Sequence, residues 1–309
     1  MRKLLAATLL LIGCGTDGGT DGVELIDGFD PPAPPEGWIQ LVAPPVRDIA
    51  PGADVTMCAY VDKRIVDETD IVDYHSYQSN VGAHHTILYA VTQQEEANVH
   101  ECTEDDMVNS RYLAGGGADS PGLVLPENIV FRMPANTQLM IQSHWINATD
   151  ETIDGQAAFN VKTTSPQPNH QVAQLLTIGP TSFTLPVGEG AVSGECTLGE
   201  TTNALMVGGH MHEWGTHGRI THTPMAAAEA TVLWETAWNE EYQFNPPRSE
   251  YTPANPLVLG AGDKIHIDCE YDNDTGGVLP FPREMCFAFA YVYPMDRQID
   301  CLNGVWPTN

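Results

Sequence analysis

Apolar and polar residues alternate along this chain over short runs, and long stretches at helical spacing are scarce. Residues 38–42 (Trp-Ile-Gln-Leu-Val) and 54–61 read as early strands, with Pro44-Pro45 and Pro51-Gly52 breaks between them. Residues 83–91 form a β-rich run opened by two adjacent histidines. Residues 128–133 and 138–146 flank a Pro-Ala-Asn turn, and 157–163 follow. The polar, acidic stretch 93–107 is expected to be a loop with a helical turn, carrying Cys102. Ser165-Pro-Gln-Pro-Asn169 reads as a domain joint. Beyond it, strands are expected over 172–178, 204–213, 231–236, 264–271 and 285–293. Short strands divided by turn signals predict an all-β protein. The expected architecture is two antiparallel, jelly-roll-like β-sandwich domains, residues 37–165 and 166–309, packed with a groove between them.

Composition agrees: 28 Gly and 23 Pro among 309 residues favour strands joined by turns. At the N-terminus Arg2 and Lys3 precede an apolar run that ends in Leu11-Ile-Gly-Cys14. This resembles a bacterial lipobox, so residues 1–14 are expected to be an export signal and Cys14 the lipidated residue. Residues 15–36, rich in Gly, Asp, Thr and Pro, are expected to be a flexible tether. No later apolar run is long enough for a transmembrane helix, so the expected membrane contact is the lipid anchor alone. With 41 Asp+Glu against 13 Lys+Arg, the formal net charge is −28. That balance argues against nucleic acid and anionic membrane surfaces as partners.

Seven cysteines occur, and setting Cys14 aside leaves Cys58, Cys102, Cys196, Cys269, Cys286 and Cys301. An even set in an exported chain reads as three disulfides, for which the sequence leaves about fifteen connectivities open. There is no CxxC spacing, so structural bridges are favoured over metal thiolates.

The chemistry gathers at Val207-Gly-Gly-His-Met-His-Glu-Trp-Gly215. In a strand, His210 and His212 lie on one face, because side chains alternate with period two, and two convergent imidazoles are half of a metal site. Candidates to complete the chemistry are His84, His85 and His144 in the first half and Met285 in the second. Three imidazoles suit copper or zinc alike, whereas a soft thioether favours Cu(I). Each has a plainer alternative. His84 and His85 should point to opposite faces of a strand, so joint ligation needs a bulge or a strand start there. His144 alone would be a hydrogen-bonded core histidine, and Met285 a core methionine. His75, His100, His170, His217, His222 and His266 have no motif support and are read as structural, with His217 nearest the motif.

Four stretches occur in order: Val81-Gly-Ala-His-His-Thr-Ile-Leu88, Leu139-Met-Ile-Gln-Ser-His-Trp-Ile-Asn147, His210-Met-His212 and Arg283-Glu-Met-Cys-Phe287. Together they resemble the copper type II, ascorbate-dependent monooxygenases, the family of the peptidylglycine α-hydroxylating and dopamine β-hydroxylating enzymes. The resemblance runs from about Trp38 to the C-terminus. It implies two coppers per chain: an electron-supplying copper on His84, His85 and His144, and an oxygen-activating copper on His210, His212 and Met285. It implies ascorbate or another small reductant as co-substrate, and the bridges Cys58–Cys102, Cys196–Cys301 and Cys269–Cys286. The chain departs from the peptide-hydroxylating branch at Gly208, where that branch has a carboxylate-gripping Arg, and at Phe287 and Phe289, where it has Asn and Tyr. A peptidylglycine substrate is therefore not expected. The expected function is hydroxylation of a small-molecule C–H bond with O2 by a cell-envelope lipoprotein. The rival is a surface-anchored copper-binding lipoprotein without turnover.

Overall fold

The computed structural model describes residues 22–91, 94–103, 105–106, 109–117, 124–243 and 246–307. Its elements are almost entirely strands, with a 3-10 turn at Glu240–Gln243 among the exceptions. The all-β expectation is correct.

Two five-stranded sheets build most of the first half. One has the order Trp38–Val42, Ala157–Thr164, Thr69–Gln78, Ile129–Met133 and Gln171–Val172. The other runs Asn98–Glu101, Asp54–Ile65, Thr137–Ile146, Ala83–Val91 and Ser110–Gly117. Between them lie Leu41, Ile71, Leu88, Phe131, Ile141 and Phe159, all buried. The second half repeats the plan. Arg248–Glu250, Thr202–His210, Phe287–Tyr293, Gln174–Gly179 and Ile299–Leu302 form one sheet, with Leu257–Leu259 also on Thr202–His210. Gly188–Thr197, Lys264–Asn273, Gly215–Thr223 and Thr231–Ala237 form the other. Ile178, Val207, Ile220, Trp234, Ile267 and Val292 fill the space between them. Each sheet thus buries one apolar face against a partner, the arrangement by which period-two sequences remove apolar area from water.

The strand Phe287–Tyr293 links the halves. Ala288, Ala290 and Val292 face its own core. Tyr291 and Tyr293 instead join the first core. The Tyr291 hydroxyl donates to the Leu113 carbonyl at 3.0 Å, and its ring packs against Phe131 and Tyr112. Arg111 donates to the Gln174 side chain across the same boundary at 2.8 Å.

Three expectations change. The stretch 93–107 contains a strand, Asn98–Glu101, which pairs with Asp54–Ile65 and sets His100 opposite Cys58. Its polar side chains hid it, because an edge strand takes its stability from ladder bonds rather than apolar alternation. The first sheet also extends past the Ser165–Asn169 joint, because Gln171–Val172 pairs in parallel with Ile129–Val130. Residues 22–36, expected within the tether, are docked: Ile26 and Phe29 are buried against Val42 and Ala158. Gln156 pins the segment, accepting from the Ile26 amide at 3.0 Å and donating to the Glu24 carbonyl at 2.9 Å. Gln40 and Asn160 both donate to the Pro32 carbonyl. Apolar residues spaced among Gly and Pro were enough to anchor this strap. The rest of the expected tether and the expected signal, with Cys14, lie outside the described residues.

The disulfides are Cys58–Cys102, Cys196–Cys301 and Cys269–Cys286, the pairings named above. Three bridges point to an oxidising, exported environment. No helix among the described residues is long and apolar enough to cross a membrane.

Candidate metal centres

The first cluster stands where Ala83–Val91 meets Thr137–Ile146. Ala83 pairs with Trp145 and His85 with His144, so His84 is the extra residue of a bulge. That bulge lets adjacent histidines converge instead of pointing to opposite faces. Ligand atoms of His84, His85 and His144 all lie within 4.8 Å of one another. His144 is almost fully buried, and its Nε2 is 2.5 Å from Asp54 Oδ1. With Nε2–H donated to Asp54, the lone pair of this ring is on Nδ1. Gln78 Nε2 donates to the His85 carbonyl at 2.9 Å and approaches that of His144 at 3.4 Å. One side chain from the opposite sheet thus ties two of the three histidine backbones together.

The second cluster forms at the end of Thr202–His210. The strand ends at His210, three residues short of the expected limit, so His212 is not on the ladder. Alternation nevertheless persists through the exit: Met211 is buried in the core, and the rings of His210 and His212 are 5.2 Å apart on the other side. His212 Nδ1 lies 2.9 Å from the Arg283 carbonyl, which fixes the tautomer with the lone pair on Nε2. Met285 is tied to the same place through its backbone. Glu284 Oε1 accepts from the His212 amide at 2.6 Å and from the Met285 amide at 2.7 Å. The carbonyls are held as well, that of His212 by Trp238 Nε1 at 2.9 Å and that of Met285 by the Tyr271 hydroxyl at 2.6 Å. The Cys269–Cys286 bridge closes the chain directly after Met285.

Burial disfavours charge at both clusters. It is the largest cause lowering His84 to about 4 and His85 to about 3, with His144 adding repulsion in each. His210 is pushed to about 3 by burial first, then by His212 and His85. Neutral imidazoles at physiological pH are the form that ligates a metal. Glu284 is fully buried. Burial raises its pKa, against the opposing pull of the amides of His212 and Met285.

The second sheet presents a distinct wall beside His210. Phe287 stands opposite His210, and Phe289 opposite Gly208. On the other side of Gly208 the register partner is Arg248. Arg248, from the adjacent strand, thus stands on the same row of the sheet as Gly208 and Phe289. Its Nε bonds Glu250 Oε1 at 2.7 Å. The Phe289 and His210 rings are 5.9 Å apart.

The remaining histidines have other contacts. His170 bonds Asp70, His222 bonds Asp263, His100 bonds Asp106 and His266 bonds Asp268. His75 packs edge-on to Trp38. His217 lies 3.4 Å from Glu235, on a strand away from the His210 pair. Sequence reading missed Asp54, Gln78, Tyr271 and Trp238, and noted Glu284 only as part of a motif. Their spacing to the histidines in the chain carries no signal, because they arrive from separate strands.

No protein-family model matches the sequence, and no curated protein matches it. Among solved structures, the chain is similar to PNGase F, a glycosylasparaginase from Flavobacterium meningosepticum. That likeness has 8% identity and a TM-score of 0.36, over 85% of this chain and 97% of the other. A triple jelly-roll protein of an archaeal virus gives 8% identity and a TM-score of 0.23, over 83% of this chain and 54% of the other. Likeness at these scores carries no argument about this chain's chemistry.

Proposed function

We propose that the protein is a copper-dependent monooxygenase that hydroxylates a C–H bond of a small-molecule substrate with O2 and an external two-electron reductant. The observation that carries this reading is the pairing of two unlike donor groups. One is built from three imidazoles, and the other from two imidazoles with a thioether residue tied to the same backbone. An all-imidazole set tolerates both copper oxidation states, and a thioether favours the reduced one, so the division suits redox work better than storage. Copper bound at the two clusters would supply one electron from each and an open position for dioxygen.

The chain's own residues prepare this chemistry. Asp54 and the Arg283 carbonyl fix the ring tautomers of His144 and His212. Burial keeps His84, His85 and His210 neutral. Phe287 and Phe289 offer an apolar wall beside His210, fitting an aromatic or aliphatic substrate, while Arg248 offers a cation one row away. The N-terminal lipobox-like segment fits a cell-envelope lipoprotein whose folded body faces an oxidising compartment. The reductant is ascorbate or a small molecule of like potential.

The test is copper stoichiometry on protein lacking residues 1–14. Oxygen uptake is then followed under ascorbate with a panel of phenethylamines, other aromatics and acylglycines. Two coppers and substrate-stimulated uptake are expected. Met285→Ala should abolish that uptake while leaving most copper bound. Zinc alone, or no metal, refutes the reading. Two coppers with no stimulated uptake by any panel member would favour the copper-binding lipoprotein.

A further inference from the structure

We propose that Glu284 is a positioning residue that sets the spacing between His212 and Met285. The inference rests on the copper reading above for its purpose, but its geometry stands without a metal. One carboxylate oxygen accepts from both amides, at 2.6 and 2.7 Å. The two residues belong to segments 73 positions apart, the exit from Thr202–His210 and the turn before Phe287–Tyr293. The ladder has ended at this point, with His210 opposite Phe287 as its last pair. His212 and Met285 therefore lie just beyond the register that aligns their strands, where backbone pairing no longer dictates their separation. Glu284 replaces the missing rungs with a side-chain bridge. A carboxyl oxygen has two lone pairs and can accept from two amides at once, which suits a bridge that must hold two chain ends.

Three further observations agree. Glu284 is 0% exposed, and an ionisable group so buried is costly unless its bonds repay it. The carbonyls of the same two residues are held by Trp238 and Tyr271, so both peptide groups are restrained from both sides. The first cluster uses the converse device: Gln78, a donor, reaches the carbonyls of His85 and His144. In both places one polar side chain from outside the donor set joins two donor-bearing backbones.

The experiment compares the full chain carrying Glu284→Gln, Glu284→Leu or Glu284→Asp with the parent protein. Gln keeps an acceptor at the same reach, Leu removes it, and Asp is too short to reach both amides. In the metal-free protein, hydrogen exchange is followed at the His212 and Met285 amides. Both should be slow in the parent and in Glu284→Gln. Both should speed up at least about tenfold in Glu284→Leu, and one of them in Glu284→Asp. In the Cu(I)-loaded protein, X-ray absorption should show a sulfur neighbour in the parent and Glu284→Gln. Glu284→Leu should lose it, with copper affinity at that site down about 10–100-fold and the three-histidine site unchanged.

If Glu284→Leu does not fold, Glu284→Asp decides the question by the same two readouts. Retained sulfur scattering and parental affinity in a folded variant lacking the bridge would overturn the proposal. So would unchanged amide exchange. Absence of a sulfur neighbour in the parent protein would count against Met285 as a ligand. The exchange result would then decide the role of Glu284 alone.

Discussion

Trp234 is clamped between two glycines of facing sheets, and Gly209→Ala tests how tightly the core behind the second cluster is packed. A Cβ on Gly209 would meet the outer ring of Trp234 at 2.5 Å, and one on Gly218 would meet the same ring at 2.8 Å. Carbon atoms rest at about 3.5–4.0 Å, so the indole must retreat by about 1 Å. It cannot do so toward Gly218, and its Nε1 is held by the Pro247 carbonyl at 2.6 Å. Overpacking of this kind costs about 1–3 kcal/mol. Trp234→Phe deletes the clashing part of the ring, so the penalty of Gly209→Ala should nearly vanish in that background.

The assay is urea unfolding of the four proteins of the double-mutant cycle, disulfides intact, followed by far-UV circular dichroism. Equal m-values license the comparison. A favourable coupling of about 1–2 kcal/mol is expected, as for residues in direct contact. Additive penalties, equal in both backgrounds within roughly 0.5 kcal/mol, would refute the reasoning. So would a Gly209→Ala protein as stable as the parent.

Two other perturbations probe the remaining elements. Asp54→Asn should lower copper affinity at the three-histidine cluster about 10–100-fold, read by competition with a chelator, with the His210 site unchanged. Asp106 receives hydrogen bonds from Tyr60, from the Thr103 amide and hydroxyl, and from His100. Burial alone would raise its pKa, but these bonds outweigh it and bring it to about 2. A carboxyl lowered on folding contributes stability above its unfolded pKa of about 3.9, and that contribution is lost as pH falls toward 2. Asp106→Asn should therefore lower stability at neutral pH and flatten its fall between about pH 4 and pH 2, measured as urea midpoints across that range.

Strands rich in β-branched and aromatic residues were legible from alternation alone. Ala83–Val91 has the expected limits, and Thr137–Ile146 and Ala157–Thr164 differ by a single residue. Thr69–Gln78 escaped notice although it carries Ile71, Val72 and Tyr74, and two other missed strands are of another kind. Ser110–Gly117 ends in three glycines, and Gly188–Thr197 alternates Gly, Ala, Ser and Glu. Such segments carry few β-branched or aromatic residues and become strands because neighbours supply the ladder. The docked strap at residues 22–36 escaped for a related reason. Ile26 and Phe29 are too widely spaced to show a period, and their burial depends on a surface made by Val42 and Ala158.

The sequence by itself determined the donor inventory. It contains His84, His85, His144, His210, His212 and Met285. It also determined the all-β character, since period-two alternation is a property of neighbouring residues. Only the tertiary structure decided how the donors meet. The bulge at His84 exists because Ala83 and His85 pair with consecutive residues of another strand. The tautomers of His144 and His212 depend on Asp54 and Arg283, which lie 90 and 71 positions away in the chain. The joint hold on His212 and Met285 depends on one buried carboxylate. Local periodicity is written in consecutive side chains, but a hydrogen bond between distant segments exists only once packing has brought them together and excluded water.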